Sequence, residues 1–167
     1  CYTIVVIEPV HKEGIKILKR HGRVIQLPSN STWMDLLKIS KNADAFVSRG
    51  FIKISAKVLE AAKRLKVIGV HGVGVDHIDL GFAEKRGIRI VKTPDVLTDA
   101  VAEFTIGLML SLLRKIPMAD VAVRRGNWNR KYSDLVGADL VGKTVGIIGL
   151  GRIGNGVAKR LEAFNVN

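Results

Sequence analysis

Short apolar stretches alternate with amphipathic stretches along the first part of the chain. The apolar stretches predict β-strands at residues 2–8, 24–27, 45–48, 67–70 and 88–91. The amphipathic stretches predict helices at residues 13–21, 32–40, 55–64 and 78–86. Short buried strands that alternate with helices are typical of α/β proteins with a parallel sheet and helical crossovers. Because such crossovers are nearly always right-handed, we predict a doubly wound open sheet.

Polar residues and glycines stand where the predicted helices should begin and end. Ser31 and Ser55 are placed to cap the second and third helices, because their side chains can accept a hydrogen bond from a free backbone N–H group. Asp79 is placed to do the same for the fourth helix. Gly22 and Gly87 follow the first and fourth helices, where glycine commonly ends a helix.

Residues 96–113 form a long segment with apolar side chains on almost every side. A helix that is apolar all round is expected to be buried all round. This segment is therefore either a core helix between domains or a helix that also packs against a second subunit. Pro117 is expected to break or restart the helix, and residues 126–142 to form an irregular surface connection.

The most informative stretch of the chain is a glycine-rich turn near its end. Residues 143–148 predict a buried strand, and a Gly-x-Gly-x-x-Gly sequence separates this strand from a helix. That context is typical of dinucleotide-binding turns. Gly149 would permit the tight turn, Gly151 would let a diphosphate approach the backbone, and Gly154 would let the helix pack against the strand.

The residues that open this helix suggest how an anion could be held. The free N–H groups of Arg152 and Ile153, together with the helix dipole, would face the phosphates, and the Arg152 side chain could add a cationic contact. The alternative is a glycine-rich turn that binds nothing. An acidic residue that binds the adenosine ribose is expected about 20 positions further on, beyond Asn167. The residues up to Asn167 therefore do not discriminate between NAD and NADP; we predict NAD as the cofactor, with NADP left open.

A second glycine-rich turn follows the fourth predicted strand. Gly72, Val73 and Gly74 stand at the carboxyl end of that strand, the edge where open α/β sheets bind ligands. Successive free N–H groups there could hold a carboxylate, although spacing alone favours a tight turn without a ligand. Arg49 ends the third strand at the same edge, where it could bind a carboxylate with two hydrogen bonds or simply be a surface charge.

His71 and His77 flank this turn and are candidates for a general acid or base, because imidazole titrates near neutrality. Neither histidine has a carboxylate placed by the sequence to orient it. No Ser/His/Asp arrangement and no metal-ligand spacing is visible, so we predict no metal site.

The composition limits the classes of partner. The net charge of +12 could suit nucleic acid, but the 27 Lys and Arg residues are scattered and aromatic residues make up only 5%, which favours a solvated basic surface without a nucleic-acid partner. No apolar run is long enough for a membrane span. One cysteine excludes a disulfide framework, and a cytoplasmic location is the default expectation.

Four motifs, in this order along the chain, resemble the D-isomer-specific 2-hydroxyacid dehydrogenases. They are Gly72-Val-Gly-Val-Asp-His-Ile-Asp79, Val101-Ala-Glu103, Arg124-Arg-Gly-Asn-Trp128 and the segment from Leu140 to Gly154. The resemblance implies a hydride transfer between NAD(P) and a small D-2-hydroxy or 2-oxo acid, of the 3-phosphoglycerate or the glyoxylate/hydroxypyruvate type. The same family includes corepressor-like proteins that bind the dinucleotide without turnover, which leaves a non-enzymatic alternative.

The resemblance also implies roles for parts of the chain. Residues 1–93 would be an incomplete flavodoxin-like substrate domain, and residues 94–167 the beginning of a Rossmann dinucleotide-binding domain. The helix at 101–113 would form a homodimer interface. The Val73 and Gly74 N–H groups, with Arg49 nearby, would hold the substrate carboxylate.

For the cofactor and the chemistry, the resemblance implies that Thr105 lies near the dinucleotide and that Gly151, Arg152 and Ile153 contact its phosphates. The family's catalytic arginine, glutamate and histidine are expected beyond Asn167. The chain is therefore expected to be part of a longer enzyme and inactive alone.

Overall fold

A computed structural model describes residues 1–167, which divide into two compact units, Cys1–Pro94 and Asp95–Asn167. Each unit has its own cluster of buried apolar side chains. None of the helices combines the length and the apolar character needed to cross a bilayer.

The first unit is built from five strands that alternate with four helices. The strands are β1 (Tyr2–Val6), β2 (Gly22–Gln26), β3 (Ala45–Ser48), β4 (Val67–Val70) and β5 (Arg89–Lys92). The helices are α1 (Lys12–Lys19), α2 (Trp33–Ser40), α3 (Ala56–Ala61) and α4 (Leu80–Lys85). All strand pairs are parallel, in the order β2-β1-β3-β4-β5. This is the flavodoxin-like order, so the predicted α/β fold class is confirmed.

The main buried cluster of the first unit lies on one face of its sheet. Val5, Phe46 and Ile68 on the three central strands are almost completely buried, as are Leu36 and Val58 on the covering helices. Burial of each such side chain stabilises the fold by about 1.5–3 kcal/mol relative to exposure. In β1 the consecutive residues Ile4 to Val6 are all buried, whereas β3 and β4 alternate between buried and half-buried positions. Strands of a parallel sheet read as nearly continuous apolar runs, which is why their positions could be predicted closely.

Two of the predicted helix termini are wrong. Helix α2 is capped by Thr32, whose N–H donates to Asp35 Oδ2 at 3.0 Å, and not by Ser31. A cap at Ser31 would place Met34 three residues later, at the position whose side chain accepts the N-cap N–H, and the methionine side chain has no oxygen to accept it. Gly22 does not end α1 but begins β2, because a Cβ at this position would overlap the carbonyl of Tyr2 on the neighbouring strand.

The other predicted caps lie at the expected positions, but three helices are shorter than predicted: α1 ends at residue 19 and not 21, α3 at residue 61 and not 64, and α4 spans residues 80–85 and not 78–86. Asp79 Oδ1 accepts the N–H of Phe82 at 3.0 Å, and Gly87 follows α4 with a φ of +66°. Ser55 occupies the N-cap position of α3 without a side-chain hydrogen bond. Helix α3 ends at Ala61, and the Arg86 guanidinium donates to carbonyl groups near this end, including those of Leu59 and Lys63.

The second unit contains helices α5 (Thr98–Leu113), α6 (Ile116–Arg124) and α7 (Arg152–Leu161), with 3-10 turns at Trp128–Tyr132 and Glu162–Phe164. Helix α5 packs on α7, and Ala102, Ile106, Leu140, Val157 and Leu161 form its buried cluster. Helix α6 restarts after Lys115, which has a left-handed backbone, and carries Pro117 in its first turn, as predicted.

Within one copy of the chain, α5 is buried on one side only, and its packing against a second subunit stays a prediction. Ala102 and Ile106 face the packed side, whereas Val101, Phe104, Leu108 and Leu112 are exposed. Only one stripe of α5 has a partner in this structure, because α7 covers one side of it.

The predicted strand at residues 143–148 is not formed. The Val145 N–H donates to the carbonyl of Asn167, and the Asn167 N–H donates to the carbonyl of Lys143, both at 2.8 Å. The Gly142 N–H also donates to the carbonyl of Asn165 at 2.9 Å, so three backbone bonds join the two segments, but none of them involves residues 146–148. A strand requires a hydrogen-bonded neighbour over several consecutive residues. Ile148 is consequently fully exposed instead of buried.

We predict that Asp44→Asn lowers the free energy of unfolding by about 1–3 kcal/mol near neutral pH, the cost of leaving a buried hydrogen-bonding group unsatisfied. Asp44 is buried, and its carboxylate accepts the Thr3 N–H at 2.8 Å and two guanidinium nitrogens of Arg64. The Thr3 hydrogen bond, followed by Arg64, lowers the Asp44 pKa below its usual 3.8.

Because the pKa is lowered in the folded state, the stabilisation is present above pH 3.8 and is lost as the pH falls through the folded value. Denaturant titrations of the wild type and Asp44→Asn should therefore give a constant difference between neutral pH and about pH 5, shrinking in more acidic solution. Glu60→Gln, at an exposed carboxylate of the same unit, should change stability little at any pH. A difference that persists undiminished in acid would contradict the assignment.

Candidate functional site

The three glycines of the turn at residues 149–154 differ in their physical requirements. Gly149 has a φ of +92°, a conformation that favours glycine. A Cβ at Gly154 would overlap the carbonyl oxygen of Gly149, so this helix can approach the turn only with glycine at that position. Gly151, the N-cap of α7, has an extended backbone, and a Cβ there would meet no protein atom within 4 Å. The protein itself therefore does not explain the small residue at Gly151.

The N-terminus of α7 presents unpaired hydrogen-bond donors. The first bond of the helix runs from the Asn155 N–H to the carbonyl of Gly151 at 2.9 Å, and the N–H groups of Arg152 and Ile153 have no acceptor in the protein. The Asn155 side chain donates to the carbonyl of Leu150 at 2.9 Å and so braces the turn. Free N–H groups at a helix N-terminus, reinforced by the helix dipole, form a site suited to an anion such as a diphosphate.

The two side chains predicted to assist at this turn are engaged elsewhere. Arg152 Nε lies 2.9 Å from Asp95 Oδ1, and both side chains are exposed. An exposed pair of this kind contributes only about 0–1 kcal/mol, so the guanidinium can exchange this partner for another anion at small cost. The Thr105 hydroxyl donates to the carbonyl of Val101 in its own helix and makes no hydrogen bond with residues 149–154.

In the first unit, a separate cleft of 260 Å³ lies at the carboxyl ends of β3 and β4. Its lining residues are Arg49, Gly50, Val70, Gly72, Val73, Gly74, Asp76 and His77. The structure thus brings together all four residues that the sequence proposed for the substrate side. The two loops that form the cleft are joined by backbone bonds between Ile54 and the segment at His77–Asp79.

The turn at residues 72–74 offers two unpaired donors. Gly72 is engaged: its N–H lies 2.9 Å from the carbonyl of Val70 and 3.0 Å from the Thr93 hydroxyl oxygen. The N–H groups of Val73 and Gly74 have no acceptor in the protein. Adjacent free N–H groups beside the Arg49 guanidinium can hold a carboxylate.

His77 lies in the cleft wall with its Nε2 atom 3.0 Å from Ser48 Oγ. Burial lowers the pKa of His77, and this effect outweighs the opposing influence of the Glu8 and Asp76 carboxylates. The imidazole is therefore neutral near pH 7. Its orienting partner is a hydroxyl group, and no carboxylate holds it as in an acid–base pair. The other candidate, His71, is exposed.

Sequence reasoning missed Glu8, which lies just beyond β1. Its side chain is buried, and its two carboxylate oxygens accept the backbone N–H groups of Arg49, Phe51 and Ile52. The available signal was an acidic residue directly after an apolar strand, at the sheet edge that binds ligands. The prediction treated Glu8 only as the last residue of that strand.

A larger cavity of 600 Å³, lined by Cys1, Tyr2, Asp44, Arg64 and Lys66, lies at the opposite edge of the sheet, where β1, β3 and β4 begin. The Asp44 carboxylate in it is already bound by Thr3 and Arg64. Parallel sheets bind ligands at the carboxyl ends of their strands, so the smaller cleft is the better candidate.

Known proteins resemble this chain over nearly its whole length. The family model described as D-isomer specific 2-hydroxyacid dehydrogenase, catalytic domain, matches residues 4–165. A D-3-phosphoglycerate dehydrogenase of Methanocaldococcus jannaschii is 46% identical over 98% of this chain and 31% of that protein. A glyoxylate reductase of Thermofilum pendens is 44% identical over 94% of this chain and 48% of that protein.

A solved structure of NAD-dependent formate dehydrogenase from Staphylococcus aureus in complex with NAD is 32% identical, with a TM-score of 0.81 over 99% of this chain and 54% of that one. The chain thus spans about half or less of the length of these relatives. The matching family model and the two identities above 40% support one conclusion: the chain belongs to the D-isomer specific 2-hydroxyacid dehydrogenase family.

Proposed function

We propose that this chain belongs to an enzyme that transfers a hydride between NAD(P) and a small D-2-hydroxy or 2-oxo acid. The observation that carries the proposal is the glycine turn at residues 149–154. Two of its glycines are required by the protein's own geometry, and the third, Gly151, is required only if something else occupies the space beside it.

The residues at this turn fit the diphosphate of a dinucleotide. The N–H groups of Arg152 and Ile153 would donate to its oxygens, Gly151 would allow its close approach, and Arg152 would leave Asp95 to face it. Thr105 would lie near the cofactor. When bound, the nicotinamide ring would accept or supply the hydride. We propose NAD, which the Staphylococcus aureus relative is described as binding, with NADP as the alternative.

The cleft at Val73 and Gly74 would hold the substrate carboxylate. Its donors are two backbone N–H groups, and Arg49 would add a charge-assisted hydrogen bond. Residues 1–94 carry 17 Lys and Arg residues against 8 Asp and Glu residues, so the unit attracts anions. This balance suits an acid substrate, including a phosphorylated one, consistent with the names of the two relatives.

These two candidate sites suggest that the two units have different roles. Residues 1–93 would form the substrate domain, and residues 94–167 the beginning of the dinucleotide-binding domain. Family resemblance would place the catalytic arginine, glutamate and histidine in the region that the longer relatives have beyond this segment.

Helix α5 would form a homodimer interface. Val101, Phe104, Leu108 and Leu112 recur every three or four residues and so lie on one exposed stripe, with Phe104 66% exposed. A continuous apolar stripe on an exposed helix face is typical of a protein–protein contact.

A matched pair of glycine substitutions tests the proposed dinucleotide site. Gly151→Ala should leave the thermal midpoint nearly unchanged, because its Cβ meets no protein atom, yet weaken NADH binding at least about tenfold by blocking the diphosphate. Gly154→Ala should instead destabilise the second unit by about 1–3 kcal/mol, because its Cβ overlaps the Gly149 carbonyl. Fluorescence titration with NADH and thermal unfolding give the two readouts.

If Gly151→Ala binds NADH as tightly as the wild type, the turn does not hold the diphosphate. Gly107→Ala, at an exposed glycine of α5 with no neighbouring atom within 4 Å, controls for the effect of adding a methyl group elsewhere in the unit.

The proposed interface predicts a change in oligomeric state. Phe104→Asp should convert dimers to monomers in sedimentation equilibrium, because it places a charge in an apolar contact. Met34→Asp, at an exposed apolar side chain on α2, is the matched control and should leave the dimer intact. A wild-type chain that sediments as a monomer at all concentrations would contradict the interface.

The proposed reaction predicts a substrate-dependent loss of NADH absorbance. A protein that carries residues 1–167 together with the region its relatives have beyond them should oxidise NADH with glyoxylate, hydroxypyruvate or phosphohydroxypyruvate. Residues 1–167 alone should bind NADH without oxidising it. Tight NADH binding by the longer protein with no oxidation by any of the three acids would contradict the enzymatic proposal.

A further inference from the structure

We infer that Glu8 is a positioning residue that holds Arg49 in place for an anionic substrate. This inference rests on the proposed carboxylate site at Val73, Gly74 and Arg49. Glu8 itself does not bind the substrate, because a second carboxylate would repel it.

The Glu8 carboxylate organises the backbone of the loop at residues 49–52. One oxygen accepts the Arg49 N–H at 2.7 Å, and the other accepts the Phe51 and Ile52 N–H groups at 3.0 and 2.9 Å. The remaining N–H group of the loop, that of Gly50, donates to Ser48 Oγ at 3.2 Å. All four donors of the loop therefore point inward to protein acceptors, three of them to one side chain.

Little else in the loop would give it a fixed shape. Gly50 has a φ of +104°, and Phe51 is 81% exposed, so neither residue anchors the loop by packing. Ile52 is the only residue of the loop that packs against the core cluster. The loop conformation consequently depends on hydrogen bonds to a buried carboxylate.

Both the backbone and the guanidinium of Arg49 are hydrogen-bonded to residues 8 and 9, just beyond β1. Its N–H binds Glu8, and its Nη1 atom donates to the carbonyl of Pro9 at 3.0 Å. The Nε and Nη2 atoms have no protein partner, and the residue lines the cleft beside Val73 and Gly74. The end of β1 thus fixes the guanidinium and leaves part of its donor set for a ligand.

The chemistry of the acceptor distinguishes Glu8 from an ordinary structural residue. Glutamine in its place could keep one oxygen for Phe51 and Ile52, but its NH₂ group would face the Arg49 N–H, and two donors cannot pair. Glu8→Gln therefore selectively breaks the bond to Arg49. Glu8→Asp keeps both oxygens on a side chain shorter by one methylene group.

The test is glyoxylate binding by the 167-residue chain, followed through the Val73 and Gly74 amide signals in NMR titrations. Glu8→Gln should weaken glyoxylate roughly tenfold, the effect of one charge-assisted hydrogen bond, and speed hydrogen exchange at the Arg49 amide, whose acceptor it removes. Glu8→Asp should give an intermediate affinity. Glu13→Gln, at an exposed glutamate of the same unit, should bind as the wild type does.

A double-variant comparison separates positioning from general destabilisation. In an Arg49→Gln background, Glu8→Gln should weaken glyoxylate much less than it does alone, because the group that it positions is gone. A merely structural role would give the same loss in both backgrounds and would overturn the inference.

The remaining outcomes are also decisive. If Glu8→Gln binds glyoxylate as tightly as the wild type, Glu8 has no positioning role, and the proposed carboxylate site still stands. The same conclusion follows if Glu8→Asp shows faster exchange at the Phe51 and Ile52 amides but keeps the wild-type affinity. If Glu8→Gln does not fold, the affinity and the exchange rates of Glu8→Asp test the role of Glu8 instead. Absence of glyoxylate binding by the wild type would overturn the proposed site and the inference together.

Discussion

The close approach of α7 to the carbonyl oxygen of Gly149 is the constraint on which the candidate cofactor site depends. Only a residue without a Cβ fits at Gly154, and this fit sets the start of the helix directly against the turn. The N–H groups of Arg152 and Ile153 are then left without acceptors and aligned with the positive end of the helix dipole. A packing requirement inside the protein thereby creates a site for a negative charge at its surface.

The first unit reaches a similar result by a different route. Its parallel sheet brings the ends of β3 and β4 to one edge, where Val73 and Gly74 also present unpaired N–H groups. Both candidate sites would therefore bind anions mainly through the backbone. Backbone donors recognise the charge and shape of an anionic group but not the rest of the ligand. Family membership and these two turns therefore indicate a class of reaction, and side chains such as Arg49 would determine which acid is bound.

Hydrophobic periodicity predicted the fold closely because the strands of a parallel sheet leave a nearly continuous apolar signal. Strands β3 and β4 lie where they were predicted, residue for residue. The choice of Ser31 over Thr32 as a cap was a local error, whereas the larger errors arose where an element's state depends on a distant partner. Residues 143–148 have the pattern of a strand but little to pair with, and α5 has an apolar surface larger than the face covered by α7.

The candidate sites were predictable to the extent that glycines signal them. Spacing and context identified the turn at residues 149–154, whereas spacing alone favoured a turn without a ligand at residues 72–74 and family resemblance supplied its role. The free N–H groups of both turns became visible only in the structure, where the other backbone donors have acceptors. Glu8 was missed because its three partners lie more than forty residues away along the chain, a distance that no local pattern spans.

The account is tested most directly by locating the bound dinucleotide on the chain. Titration of isotope-labelled protein with ADP-ribose, which carries the diphosphate without the nicotinamide, should shift the amide signals of Arg152 and Ile153 most strongly, through hydrogen bonds to phosphate oxygens. The account predicts saturable shifts centred on residues 149–154. Saturable shifts centred elsewhere, with these amides unchanged, would contradict it.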